Sequence, residues 1–197
     1  NEDKVIIFME NRPELLYSFL GTWDKSGTCV CLDASLSGEE LVYYINDSDS
    51  KYIYTSKGNL PKVQKALEIS GKTLGIVVVD EIEDKEFDGE LVINAPASEN
   101  VALMLYTSGT TGNPKGVMLK FDNILINVEG LDKYNMFVQE DIVLALLPMH
   151  HIFPLLGSGV IPLAKGATIV FLKEMSSQAM VDAFQKYKVT MMIGVPR

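Results

Sequence analysis

The sequence predicts an α/β fold of layered parallel sheets flanked by helices. Short apolar runs recur along it without polar alternation, among them Val5-Ile6-Ile7-Phe8, Leu74 to Val79 and Val101-Ala102-Leu103-Met104-Leu105. Stretches with helical periodicity stand between successive runs. A strand buried on both faces reads as a continuous apolar run, and two parallel strands need a crossover that a helix supplies.

Each element has its own local reason. Val5 to Met9 is a short apolar strand. Pro13 suits the first turn of a helix whose face carries Leu16, Phe19, Leu20 and Trp23, with Gly27 ending it. Thr28 to Leu32 is the next strand. Ser37 and Glu40 form a capping box for a helix presenting Leu41, Tyr44 and Ile45. Lys51 to Thr55 is a strand, a helix runs from about Pro61 to Ser70 before Gly71, and Leu74 to Val79 is a strand. Val101 to Leu105 feeds a polar loop, Val117-Met118-Leu119 leaves it as a strand, and a helix from about Asp122 carries Ile124, Val128 and Leu131. Ser177 starts a last helix with Met180, Phe184 and Tyr187 on one side, followed by a strand from Val189 to Ile193.

From Ile142 to Leu172 the single charge is Lys165, a run long enough to span a bilayer. Pro148, Pro154 and Pro162 and the adjacent His150 and His151 break it. A buried strand–helix–strand unit is therefore expected rather than a transmembrane segment, with part of its apolar surface available to line a pocket.

Composition narrows the partners. The chain has 197 residues, 47% of them hydrophobic, and a net charge of −9. An acidic balance argues against nucleic acid, whose phosphates select basic faces. Most of the charge lies between Asp80 and Glu90, which holds seven carboxylates and one lysine. A calcium loop starting at Asp84 would find Ala95 at its twelfth position instead of glutamate, so a solvated acidic loop is expected. Cys29 and Cys31 are too close for an unstrained disulfide and lack metal-ligand spacing with the histidines, so they read as buried apolar side chains in a reducing, cytoplasmic setting. The charged start Asn1-Glu2-Asp3-Lys4 precedes too short an apolar run for a secretory signal.

The chemistry concentrates in Tyr106-Thr107-Ser108-Gly109-Thr110-Thr111-Gly112-Asn113-Pro114-Lys115-Gly116. Glycines permit the close approach and positive φ of an anion nest, hydroxyls add rotating donors, and Lys115 adds a mobile charge. Such a set suits a polyphosphate. It is not the common nucleotide P-loop: counted from Gly109, Pro114 occupies the second glycine's place and Gly116 that of the magnesium-binding hydroxyl.

This eleven-residue segment resembles, without departure, the phosphate-loop signature of the adenylate-forming (AMP-binding) enzymes. Leu147-Pro148-Met149-His150-His151-Ile152-Phe153 resembles that family's second motif. Asn11-Arg12-Pro13-Glu14 and Gly27 to Asp33 resemble its early helix and strand, and the overall order is most similar to the fatty acyl-coenzyme A ligases. One departure is Lys120-Phe121, where the family commonly places Thr-His.

The resemblance implies part of a large N-terminal domain, with a first α/β subdomain over 1–140 and the start of a second over 141–197. It implies ATP, magnesium and coenzyme A, and a small-molecule carboxylic acid as substrate. Thr107, Ser108, Gly109, Thr110, Thr111, Gly112 and Lys115 would hold the β- and γ-phosphates, with Lys115 offsetting charge in catalysis. His151 would orient the acyl carboxylate or gate its tunnel, with Phe153 beside the acyl group. The family's adenine motif, ribose-binding aspartate and late catalytic lysine would lie beyond Arg197. The chain is thus expected to be an internal fragment, inactive alone, of a parent that could touch a membrane peripherally. A carrier-protein ligase, an amino-acid adenylation domain, a phosphotransferase releasing ADP and a non-catalytic nucleotide-binding module remain as alternatives.

Overall fold

A computed structural model describes residues 3–83, 94–107 and 112–195, of which the side chain of residue 132 is not described. The chain divides into two compact units, one of residues 1–10 and 17–121 and the other of residues 11–16 and 122–197.

The first unit is built on a six-stranded sheet. Its strands are β1 (Lys4–Phe8), β2 (Thr28–Cys31), β3 (Tyr52–Thr55), β4 (Gly75–Val78), β5 (Val101–Thr107) and β6 (Lys115–Lys120), in the order β4-β3-β1-β2-β5-β6. The first five run parallel, and β6 returns antiparallel to β5. The antiparallel edge differs from the all-parallel expectation for a simple reason. The loop between β5 and β6 is too short for a helical crossover, so the chain can only fold back beside the strand it left.

Register sorts the side chains onto two faces. Val5, Cys29 and Leu103 are partners, as are Ile6, Val30 and Met104. The second set joins Phe8, Leu32 and Ile53 in a core closed by Leu41 and Ile45 of α2 (Gly38–Ser48) and Val63 and Ala66 of α3 (Leu60–Ser70). The opposite face meets the later turns of α1 (Pro13–Asp24), where the Cys29 thiol points at the Phe19 carbonyl and the Trp23 indole donates to the Ala102 carbonyl at 2.9 Å. Helices therefore cover both faces of the sheet.

Local expectations hold where local chemistry decides. Glu40 N–H donates to Ser37 Oγ at 3.2 Å and Ser37 N–H to Glu40 Oε2 at 2.8 Å, completing the capping box. Gly71 ends α3 at φ 65°. Cys29 and Cys31 are buried thiols that form no disulfide, and burial pushes the Cys31 thiol up to about 12. Of the acidic stretch, residues 84–90 lie outside the described residues.

The buried stripe of α1 is turned from the expected one. Leu16 and Phe19 are buried as expected, but Leu20 is 46% exposed and Leu15, Ser18 and Thr22 are buried. Thr22 Oγ1 donates to the Ser18 carbonyl at 2.8 Å, so a polar residue is buried with its hydroxyl satisfied.

In the second unit β7 (Ile142–Ala145), β8 (Thr168–Phe171) and β9 (Met191–Met192) form a parallel sheet ordered β8-β7-β9. Leu144 and Val170 pack with Ala183 of α7 (Ser177–Tyr187). α7 starts at Ser177, as expected, and Ser176 before it caps the helix by accepting from the Ala179 N–H at 3.1 Å. The expected apolar side of α7 is rotated: Phe184 and Tyr187 are exposed and Ala183 is buried. The last strand is two residues long instead of five. Before them α4 (Phe121–Asp132) buries Ile124.

The long apolar run is a strand–helix–strand unit, as expected. Between β7 and β8 come α5 (Ile152–Leu155), a π-helical stretch (Leu156–Val160) and α6 (Ile161–Ala164). No helix among the described residues is long and apolar enough to cross a membrane.

Gly27 gives a test of the packing. A Cβ there would lie 2.9 Å from Thr22 Cγ2 and 3.1 Å from the carbonyl oxygens of Asp3 and Thr22. Backbone cannot yield as a flexible side chain can. Gly27→Ala is expected to destabilise the protein by about 1–3 kcal/mol in urea unfolding, and Gly58→Ala, where a Cβ meets nothing within 4 Å, to stay within about 0.5 kcal/mol.

Candidate active site

The first unit presents the glycine-rich segment at the open end of the β5–β6 hairpin. Thr107 pairs with Lys115 and Tyr106 with Gly116 across the ladder. Directly paired residues of antiparallel strands project to the same face, so the Thr107 hydroxyl and the Lys115 ammonium flank the loop from one side. Both are exposed. Ser108, Gly109, Thr110 and Thr111 lie outside the described residues. Gly112 has φ 107°, a conformation that side-chain-bearing residues rarely adopt. Gly116 serves packing, since a Cβ there would collide with the Met104 side chain. The chain leaves the loop along β6 and turns helical only at Phe121, unlike a P-loop, whose helix begins on the phosphates.

Both stems of this segment are tied to α2. The Tyr43 hydroxyl donates to the Pro114 carbonyl at 2.7 Å, and the Tyr106 hydroxyl donates to Asp47 Oδ2 at 2.7 Å. Tyr43 and Asp47 are four residues apart and so share one face of the helix. Tyr44 packs edge-on against Tyr106 at 4.7 Å and against Tyr43 at 5.4 Å. Burial, and then the bond to Asp47, hold the Tyr106 phenol protonated well above its usual range. Sequence reading had given Tyr44 a packing role and had given Tyr43 and Asp47 none. Their i, i+4 spacing was visible, but their targets lie more than fifty residues away in sequence.

His151 belongs to the second unit. It stands at the N-cap of α5 in extended backbone, φ −102° and ψ 145°, its carbonyl accepting from Leu155 N–H at 3.1 Å. The His150 and His151 rings lie 4.1 Å apart, tilted by 52°. His151, Ile152 and Phe153 are exposed, whereas Met149 just before them is wholly buried. The structure thus places His151 and Phe153 together at the head of one helix, an imidazole beside apolar side chains.

The turn that delivers His151 is held by Asn11. Its Nδ2 donates to the Leu147 carbonyl at 2.8 Å, and its Oδ1 accepts from Met149 N–H at 3.0 Å. His151 N–H then donates to the Pro148 carbonyl at 3.3 Å. No described residues form a group of three or more His, Cys, Asp or Glu side chains able to hold a metal.

Residues 1–197 match the AMP-binding enzyme family. The chain is 30% identical over 186 residues to a mitochondrial malonate–CoA ligase of Bos taurus, covering 93% of this chain and 32% of the relative. It is 28% identical over 212 residues to 4-coumarate–CoA ligase 1 of Petroselinum crispum, covering 98% of this chain and 38% of the relative. The chain therefore spans between 32% and 38% of the length of these two relatives. The fold is similar to that of ATP-bound MatB from Rhodopseudomonas palustris, with a TM-score of 0.80, 25% identity, and coverage of 98% of this chain and 39% of that one. With the loop signature, its hairpin and the whole length agreeing, the chain belongs to the AMP-binding enzyme family of adenylate-forming enzymes.

Proposed function

We propose that this chain is the phosphate-holding part of a longer ATP-dependent acid–thiol ligase. The carboxylate of the acid attacks the α-phosphorus of ATP. A new P–O bond forms as the bond to the β,γ-unit breaks, giving acyl-adenylate and pyrophosphate. The coenzyme A thiol then attacks the acyl carbon, its proton leaves to solvent, and AMP departs. The observation that carries the reading is the pairing of Thr107 with Lys115 on either side of the glycine-rich loop.

Attack of one anion on another is slowed by their repulsion, so catalysis consists mainly of positioning and charge neutralisation. Thr107 supplies a hydroxyl donor, Gly112 a backbone that can curl toward the ligand, and Lys115 a positive charge for the β- and γ-phosphates. Ser108, Gly109, Thr110 and Thr111 are assigned to the same phosphates by the loop signature. Magnesium would enter as the counter-ion of the ATP phosphates and offset their charge. His151 is placed on the acyl side because its neighbours Ile152 and Phe153 are apolar and exposed. On the same ground we propose an apolar, fatty acyl substrate. The malonate and 4-coumarate named for the two relatives are the rival acids.

In the full-length protein, Lys115→Ala is expected to lower the adenylation rate by about 10- to 1000-fold with the fold intact, read by acid-dependent exchange of pyrophosphate into ATP. An unchanged rate would make Lys115 a solvated surface lysine.

His151→Ala is expected to raise the acyl KM or lower kcat while the ATP KM stays within about threefold, under about 1 kcal/mol. The assay runs on a fatty acid, malonate and 4-coumarate side by side. A selective loss of ATP affinity would move His151 to the nucleotide, and turnover of malonate or 4-coumarate alone would reject the fatty acid.

A further inference from the structure

We propose that Asn11 is a positioning residue for His151: its carboxamide fixes the Leu147-Pro148-Met149 turn and so sets where the imidazole points. The inference rests on the acyl-side reading of His151 for its functional consequence, while the geometry stands without that reading.

Asparagine's carboxamide carries a donor and an acceptor side by side in one plane, the same pair that a backbone peptide offers. Here it is used as a peptide would be. Nδ2 donates to Leu147 O at 2.8 Å and Oδ1 accepts from Met149 N–H at 3.0 Å, so one side chain brackets two peptide groups on either side of Pro148. Pro148 has no N–H of its own to give, and β7 has already ended at Ala145. Among the described residues no strand pairs with these three, and the carboxamide stands in for one. Flipping the amide would set donor against donor and acceptor against acceptor, so both bonds together specify its orientation.

The bracket has a direct line to the histidine. Met149, one of the two bonded residues, is fully buried and cannot swing. His151 N–H donates back to Pro148 O at 3.3 Å, and Leu155 N–H donates to His151 O at 3.1 Å as the helix begins. His151 is thus fixed by its backbone on both sides while its ring remains exposed. An exposed ring on a fixed backbone suits a group that meets a ligand. The opposite end of Asn11 is equally anchored, since the adjacent Arg12 carbonyl accepts from Leu15 N–H at 3.1 Å at the start of α1.

The test uses two readouts. His150 and His151 are the only histidines in the chain, so NMR of the ring C–H signals reports on this turn alone. Asn11→Ala removes both bonds, and Asn11→Asp keeps the shape but turns a carboxylate oxygen toward the Leu147 carbonyl. Both variants are expected to shift the His151 ring signals of the chain. Asn127→Ala, which removes only an amide bonded to the Asn123 carbonyl within α4, is expected to leave them in place. In the full-length protein both Asn11 variants are expected to lower kcat/KM for the acid by about 10- to 100-fold, the scale of an ångström-sized misplacement, with the ATP KM within about threefold.

Unmoved ring signals, or an equal loss toward ATP and acid, would overturn the proposal. So would variants recovered only unfolded, because Asn11 would then support the fold as a whole instead of aiming one side chain. His151→Ala run in parallel separates the two ideas. If it leaves the acid kinetics unchanged while the Asn11 variants still move the ring signals, the acyl-side reading fails and the positioning stands.

Discussion

The backbone ladder on both sides of β5 is the constraint on which the rest of the first unit depends. β5 is paired in parallel with β2 and antiparallel with β6, so Val101–Thr107 cannot slide or twist without breaking bonds on two flanks. A one-residue slip would also carry Met104 and its neighbours from one face to the other, emptying the core that Leu41 and Ile45 fill. The loop therefore leaves a fixed point, and β6 receives it at another. Tyr43 and Asp47 add a second hold on each stem from α2. A site proposed to hold phosphates gains precision from such rigid supports on both stems.

The second unit solves a similar problem with different means. Among the described residues its sheet has three strands, and none of them pairs with the turn after β7. A side-chain amide from residue 11, a buried methionine and the first turn of a helix take over. The helix that follows is tightly fitted. A Cβ on Gly159 would lie 3.0 Å from Leu16 Cδ2, and Ser158 in the π-helical stretch is fully buried.

What could be read in the sequence was local chemistry, and what could not was long-range geometry. The Ser37–Glu40 capping box, the Gly71 helix end and the strands expected over Val5 to Met9 and Thr28 to Leu32, found as Lys4–Phe8 and Thr28–Cys31, each depend on residues within one turn or one run. The loop signature was legible for the same reason, since its eleven residues are contiguous. Leu20 and the α7 side of Phe184 and Tyr187 were misplaced because helical periodicity gives a stripe but not its angle against the sheet. The antiparallel return of β6 was hidden, as a short apolar run reads alike in either direction. Asn11, Tyr43 and Asp47 escaped because their partners stand 136, 71 and 59 residues away. Part of the proposed phosphate site, Ser108 to Thr111, lies outside the described residues, and its assignment rests on the signature.

The central claim is that the glycine-rich hairpin serves attack at the α-phosphorus, not transfer of the terminal phosphoryl group. The most direct measurement is phosphorus NMR of the products formed by the full-length protein from ATP and an accepted acid, before coenzyme A is added. The account predicts pyrophosphate in step with the acyl-adenylate and, after coenzyme A, AMP in step with thioester. ADP formed in step with a phosphorylated acid would contradict it and return the loop to a phosphotransferase.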